Sequence, residues 1–581
     1  MTKNFKQRSI RKTILQPGAN CTGIFSVEHA GILIDGRDYY KAFYKMARQA
    51  KRFILMAGWQ FDSNVRLLRG TDIDDSKDEV RFIPFLNELC IKNSKLEVYI
   101  LAWDFSVIFA LEREWLQELI TNWSTNERIH FRFDNSHAVG ASHHQKFVVI
   151  DGVFAFAGGM DVCSSRWDDR RHIPENLERK DENGAIYKPY HDVQAYLSGP
   201  IVEELVRVFK NRWRGSGGGN LPLSNDRHGL FSAFQDSFPL AADYAALSQT
   251  QARTLVPLRG PIEEIRALYR DAIHNAEKLI YLENQYFSSE SVYQAFTERM
   301  SAPNHPPLQV IMMLPKKPTA FVEEIALGIA QASMINSLKE VAKRNGHSLG
   351  IYYSTAMSQE GNEVPTYIHA KLLLTDDRFL TIGSANTTNR SMGLDTELNV
   401  SWEADTINNM ALFESIREFR VSLLAEHTGL SGNDDKARLS SINGLVDYLN
   451  HLADMKELRL RHHTANGLLE KNEWLRELEI DQFSFDPDKP ILEENIFEAI
   501  SQDRNGIFTQ GIQFLNNWLF ECRRDRVTDS KCLETGNDNN KFFSFLHLIN
   551  PVRYLRYFKW GFLLFFVMAA VTLLIILLRL N

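Results

Sequence analysis

Ser142-His143-His144-Gln145-Lys146-Phe147-Val148-Val149-Ile150-Asp151 and Tyr367-Ile368-His369-Ala370-Lys371-Leu372-Leu373-Leu374-Thr375-Asp376 are two copies of one pattern, HxKxxxxD, set 225 residues apart from His144 to His369. Each copy runs on to a glycine turn, Gly158-Gly159-Met160-Asp161 in the first and Gly383-Ser384-Ala385-Asn386 in the second. Five positions keep the same offset without a gap: His144/His369, Lys146/Lys371, Asp151/Asp376, Gly158/Gly383 and Asp161/Asn386. Residues i and i+2 of a strand face one side, so each histidine is expected to project with its lysine. The apolar run before each aspartate marks a buried strand, where an uncompensated cation is expensive. A buried imidazole–ammonium pair therefore calls for an anion, and a phosphate group supplies one. The glycines downstream are expected to let backbone amides approach the phosphate oxygens.

Outward from these copies the halves keep repeating. Residues 40–50 read as a helix, followed by an apolar strand at Phe53-Ile54-Leu55-Met56 and then Gly58-Trp59-Gln60-Phe61. In the second half, Ile262, Ile265, Leu268, Tyr269, Ile273 and Ala276 recur at helical spacing, followed by Leu279-Ile280-Tyr281-Leu282 and then Glu283-Asn284-Gln285-Tyr286-Phe287. Strands at residues 96–101 and 308–313 continue the series. Helices alternating with strongly apolar strands predict an α/β fold with covered sheets. Two related halves would gather both motifs around one pocket on a pseudo-two-fold axis.

That pocket suits phosphodiester chemistry. A neutral imidazole can attack phosphorus, and a protonated one can hand its proton to the leaving oxygen and then activate water or an alcohol. Two lysines would neutralise the non-bridging oxygens, each worth about 3 kcal/mol. No carboxylate cluster with metal spacing is evident, so neither metal nor cofactor is expected. His143 should face away from His144 and serve structure, and His137, His462 and His463 should lie in solvent.

The twin motif with its glycine turns resembles that of the phospholipase D superfamily, over roughly residues 20–430. The resemblance implies two α/β lobes sharing one active site and a phosphohistidine intermediate, with His144 as nucleophile and His369 as general acid. Glu283-Asn284-Gln285-Tyr286-Phe287, Asp376-Asp377-Arg378 and Asn389-Arg390-Ser391-Met392-Gly393 are similar to segments of the lipid-cleaving phospholipase D branch. Tyr190-His191-Asp192-Val193 is similar to a block whose aspartate orients a catalytic histidine, which makes Asp192 and Glu397 the candidates for that role, one per imidazole. The implied site is His144, Lys146, Asp151, His369, Lys371 and Asp376, supported by Gly158, Asp161, Asp192, Asn284, Ser384, Asn386 and Glu397. Asp151 and Asp376, an odd number of residues from their lysines, are expected to hold local structure. The implied activity is hydrolysis of a glycerophospholipid to phosphatidic acid and head group, or transfer to an alcohol. A cardiolipin synthase-like phosphatidyltransferase and an inactive membrane scaffold are the alternatives.

Composition bounds the rest. The chain has 581 residues, 24% of them charged, with a net charge of −7, a poor match to a protein that coats nucleic acid. Its five cysteines are scattered without a CxxC pair, so no disulfide framework or zinc site is expected. Residues 1–20 form a basic tail. Residues 21–214 and 251–430 are expected as the two lobes, joined by a glycine-rich linker at 215–250. Residues 431–550 read as mostly helical. Residues 560–578 are an unbroken uncharged run after Arg553, Arg556 and Lys559, expected as a single transmembrane helix that anchors the protein to the bilayer with its catalytic region in the cytoplasm, a bacterial inner membrane being favoured.

Overall fold

In the computed structural model the described residues are 13–490, apart from 75, 77–78, 105–124, 224–233, 256–257, 318–320, 405–408 and 465–485. All of them belong to the first of the two compact units into which the chain divides, residues 1–496. This unit is built on two large sheets, of eight and 11 strands. Seven strands follow one another in the same spatial order in both. In the first sheet the order is His29–Ile34, Val193–Ser198, Phe154–Gly158, Phe147–Ile150, Phe53–Gly58, Glu97–Trp103 and Ile129–Asp134. In the second it is Tyr244–Gln251, Glu397–Glu403, Phe379–Gly383, Leu372–Thr375, Leu279–Glu283, Gln309–Met313 and Ser348–Met357. The last three of each set run parallel and the others antiparallel. The expected α/β duplication is therefore present strand for strand.

Alternation along the motif strands decides how the sheets meet. Phe147 and Val149 of one sheet share an apolar cluster with Leu372 and Leu374 of the other. The intervening Val148 and Ile150 pack the opposite way with Phe43, Phe82 and Leu86, and Leu373 packs with Leu268, Tyr269 and Phe296. The sheets thus press face to face and each carries helices on its outer face, which is why these strands are apolar on both sides. Each fully buried Leu or Phe contributes about 1.5–3 kcal/mol to this core.

Several boundaries differ from the expectation. The stretch expected as a linker contains two strands: Phe238–Leu240 closes the edge of the first sheet, and Tyr244–Gln251 lies inside the second. Reciprocally, Gly23–Ser26 pairs with Tyr244–Gln251, so a segment from the start of the chain edges the second sheet. Hydrogen bonding at an open edge is satisfied by whichever strand can reach it, a contact no local pattern reveals. The basic tail is fixed by residue 14, where Glu403 accepts the Ile14 and Leu15 amides. Beyond residue 430 the helices Asn433–Ser440 and Leu445–Asp454 lead to a strand, Leu460–His462, paired with Ser348–Met357. Cys21, Cys90 and Cys163 are buried free thiols.

The membrane expectation is corrected. Among the described residues no helix is long and apolar enough to cross a membrane, which overturns the single-pass, bilayer-anchored, inner-membrane assignment. The run at 560–578 on which it rested lies outside the described residues, as do 465–485 and 491–550 of the stretch expected to be mostly helical.

Candidate active site

The strands begin at Phe147 and Leu372, so both His–Lys pairs lie on extended segments leading into them and not within them, as had been expected. Those segments are held by the opposite half of the chain. The His144 amide donates to Thr396 O at 2.9 Å, and the His369 amide donates to His191 O at 2.8 Å. Tyr367-Ile368 pairs in parallel with Tyr190-His191, and a parallel bridge joins His143 to Thr396. The next residue on each supporting segment is a buried carboxylate. Glu397 Oε2 lies 3.0 Å from His144 Nδ1, and Asp192 Oδ2 lies 2.6 Å from His369 Nδ1. Each imidazole is thus oriented by an acid from the other half.

A carboxylate at Nδ1 keeps that nitrogen protonated and leaves the Nε2 lone pair available. Burial, then Lys146 and Lys371, hold His144 well below the ordinary histidine range. Burial, Lys371, Arg166 and Lys146 do the same to His369. The charges of one half therefore act on the histidine of the other, as in a single composite site. Lys371 is fully buried; burial, opposed by Asp192 and reinforced by the Lys146 cation, lowers its pKa to about 7. It donates to its own histidine's carbonyl oxygen and to Gln285 Oε1 at 3.1 Å. Lys146 donates to His144 O at 3.1 Å and lies 3.2 Å from Asp161 Oδ2.

The motif aspartates lie apart from the imidazoles. Asp151 caps the start of a neighbouring strand by accepting the Lys51, Arg52 and Phe53 amides, and Asp376 accepts those of Glu277, Lys278 and Leu279. Both adopt positive φ, 51° and 56°, which a short polar side chain tolerates. Their carboxylate oxygens are taken by backbone amides, an arrangement that holds local structure.

The glycine expectation also changes. The Gly158 and Gly383 amides are used by Lys146 O and Lys371 O. A Cβ on Gly158 would come within 2.5 Å of Gln194 Oε1, and one on Gly383 within 2.1 Å of Asn399 Oδ1. These glycines serve strand-to-strand packing. Gly159 has a sharper reason, since a Cβ there would sit 2.3 Å from Asp192 Oδ1, the carboxylate behind His369. Asp161 also accepts the Trp59 amide. Ser384 Oγ donates to Glu397 Oε2 at 2.5 Å. Asn284 Oδ1 accepts the Thr387 amide and so ties two loops, while Asn386 Oδ1 is buried without a hydrogen-bond partner.

Some of the surroundings had no local signal. Ser391 Oγ donates to Glu397 Oε1 at 2.7 Å, and burial with the nearby Asp395 pushes Glu397 up to about 8. Burial likewise raises Asp192 to about 6. The Tyr190 ring lies 5.3 Å from that of His369, with the Arg166 guanidinium over it. His143 is buried as expected, 3.1 Å from Asp134, which also pairs with Arg212. His462 is exposed, but His137 is half-buried and accepts from Trp103 Nε1, and His463 is buried against Pro315 O.

Among the described residues, two buried groups could hold a metal ion: Asp35, His172, His191 and Glu426, and His191, Glu283 and His427, with ligand atoms within 4.8 Å of one another in each. The absence of metal-ligand spacing in the sequence did not extend to these residues, which come together only through folding. In the second group one carboxylate serves both imidazoles: His191 Nε2 is 3.0 Å from Glu283 and His427 Nε2 is 3.0 Å from the same carboxylate.

Known proteins are similar to this chain in sequence. A family model described as "Phospholipase D" matches residues 46–320, and one described as "Cardiolipin synthase, PLD-like domain" matches residues 269–416. Similar proteins include phospholipase D1 of Saccharomyces cerevisiae, 25% identical over 62% of this chain and 26% of its own length. Phospholipase D alpha 4 of Arabidopsis thaliana is 22% identical over 73% of this chain and 68% of its own. Phospholipase D A of Dictyostelium discoideum is 24% identical over 69% of this chain and 35% of its own. The chain thus spans about a quarter to about two thirds of the length of these relatives. A crystal structure of phosphatidylserine synthase from Haemophilus influenzae Rd KW20 is similar at a TM-score of 0.48 and 14% identity, over 80% of this chain and 96% of that one. With both family models matched, together spanning residues 46–416 and both half-sites, the chain belongs to the phospholipase D superfamily.

Proposed function

We propose that this protein is a phospholipase D, hydrolysing glycerophospholipids to phosphatidic acid and free head group through a phosphohistidine, with water or an alcohol as acceptor. The observation that carries the reading is the crossed pairing of His144 with Glu397 and His369 with Asp192, flanked by two buried lysines. Residues 21–214 and 251–430 supply most of the two lobes, which exchange edge strands at Gly23–Ser26 and Phe238–Leu240 and draw Tyr244–Gln251 into the second, and each lobe supplies one half-site.

In the first step Nε2 of His144 attacks phosphorus, and the bond to the head-group oxygen breaks as His369 delivers a proton to it. In the second, His369 takes a proton from water or an alcohol, whose oxygen displaces the histidine and releases phosphatidic acid or a phosphatidylalcohol. Lys146 and Lys371 neutralise the non-bridging oxygens throughout. Asp192 and Glu397 hold Nδ1–H, and Asp151 and Asp376 hold the strands. An arriving phosphate anion offsets the two ammonium charges that depress both histidines, so substrate binding itself raises their proton affinity.

The test is product analysis by mass spectrometry after incubating the protein with mixed phosphatidylcholine, phosphatidylethanolamine and phosphatidylglycerol vesicles containing 1-butanol. Phosphatidic acid and phosphatidylbutanol are the expected products, and their absence from every lipid overturns the reading. Cardiolipin as the sole new lipid would favour the phosphatidyltransferase alternative, which the family description matched to residues 269–416 supports. An inactive scaffold would form no product at all, although both motifs are intact.

A further inference from the structure

The loops of the second half that face His144 have a support that neither family match reaches. Asp486 lies beyond the catalytic sheets, in the stretch expected only to be mostly helical, yet it is fully buried. Its Oδ2 accepts the Asn389 amide at 2.9 Å and the Ser288 hydroxyl at 2.8 Å, and its Oδ1 accepts the Arg390 amide at 2.9 Å. Asn389 and Arg390 open the short helix Asn389–Gly393, and Ser288 directly follows the Glu283–Phe287 segment that carries Gln285. The same stretch covers that helix further along, because a Cβ on Gly393 would come within 2.3 Å of Asp488 O.

Two routes lead from this helix to His144. Ser391 donates to Glu397 Oε1, and Glu397 meets His144 Nδ1. Arg390 holds Asp395 through two hydrogen bonds of 2.8 and 2.9 Å, and Asp395 accepts the Ser142 amide, two residues before His144, at 2.7 Å. A buried carboxylate with three donors on two active-site loops fixes where those loops sit, since losing it would leave buried amides unpaired.

We propose that Asp486 is a positioning residue for His144, so that a segment outside the duplicated sheets completes the active site. It acts at one remove: it sets the helix, the helix sets Ser391 and Arg390, and these set Glu397 and Asp395. The proposal rests on the reading of His144 as a reacting imidazole.

The experiment uses the full chain with bis(4-nitrophenyl) phosphate, a soluble phosphodiester, and compares wild type with Asp486→Ala, Asp486→Asn, Ser391→Ala and the Asp486→Ala/Ser391→Ala pair. Asp486→Ala is expected to lower kcat about tenfold to a hundredfold with KM within about twofold. The acidic limb of kcat should move to higher pH, because Glu397 loses part of the hydroxyl donation that opposes its raised pKa. Asp486→Asn keeps one carbonyl oxygen and should recover most of the loss, and it carries the comparison if Asp486→Ala does not fold. The double variant should be no slower than the slower single one. Hydrogen–deuterium exchange supplies a readout independent of turnover, with faster exchange expected at residues 140–146. Unchanged kcat, acidic limb and exchange in a folded variant overturn the proposal, and so does a double variant whose losses multiply. A wild type that shows the exchange coupling without any turnover would sink the proposed activity while leaving the positioning role standing.

Discussion

The two half-sites share a backbone and differ in charge. In the first, Lys146 faces the carboxylate of Asp161; in the second, Lys371 faces the amide of Gln285, and Asn386 stands at the position equivalent to Asp161. The carboxylate behind His144 sits among hydroxyls, Ser384 and Ser391, with Asp395 close by, whereas the one behind His369 accepts a backbone amide, that of Val193, beside the imidazole. Geometry is duplicated while electrostatics is not. The foremost charges acting on His369 are all cationic, but those on His144 include Asp395 and Asp161, which favour its protonated form. Burial and the lysines nevertheless dominate at both imidazoles and hold both well below the ordinary range, so the roles are read from a trapped intermediate.

Replacing either histidine is the severest way to break the comparison. His144→Ala and His369→Ala should each lose at least about 10⁴-fold in kcat, since a nucleophile or acid–base group has no substitute here. With bis(4-nitrophenyl) phosphate, whose leaving group needs no acid, the variant that retains the nucleophile should accumulate a phosphoryl adduct visible in intact mass. Under the family assignment it appears in His369→Ala; an adduct in His144→Ala instead exchanges the roles.

The lysines come next. Lys371→Ala should cost about 10²–10³ in kcat, as expected for removing one preorganised charge from a water-poor site. Asp161→Asn should make the halves alike at this position and lower KM for an anionic phosphodiester by several-fold, because Lys146 then offers its full charge. If Asp161→Asn raises KM, the ion pair serves mainly to place the lysine.

The orienting acids differ in their effect on stability. Glu397 is raised from 4.5 to about 8 in the folded protein, so the native state binds a proton that the unfolded chain releases between those values. Its contribution is therefore complete below about pH 4.5 and lost as pH rises through about 8. Glu397→Gln should flatten the decline of Tm over that window, and Asp192→Asn should do so over the narrower window from 3.8 to about 6. An unchanged slope in both would show that the carboxylates titrate normally.

Asp151→Asn and Asp376→Asn should have the smallest effect on chemistry. Each removes charge from three backbone hydrogen bonds and should cost about 1.5–3 kcal/mol in denaturant unfolding, while kcat per folded molecule changes less than in any variant above. Loss of turnover without loss of stability would return these aspartates to the reaction.

How far the sequence reaches follows from which contacts are local. His144, Lys146, His369 and Lys371 were legible because their spacing is short and repeated, and Asp192 and Glu397 followed from the blocks that contain them. The cluster of Asp35, His172, His191, Glu283, Glu426 and His427 was not, because it draws on segments nearly 400 residues apart. The exchanged edge strands and Asp486 escaped for the same reason. The glycines were seen but misread, since their demand is set by Gln194, Asp192 and Asn399 on neighbouring strands.

The crossing of the carboxylates has a consequence for how such a site can change over generations. When each imidazole depends on an acid from the other half, an isolated half holds a histidine without its partner, so the smallest working unit contains both. Two identical copies would have to alter both sites with every mutation. Joined in one chain, they can drift apart singly, and Asp161 against Asn386, Asp192 against Glu397, and Trp59 against Gln285 mark where this one has done so.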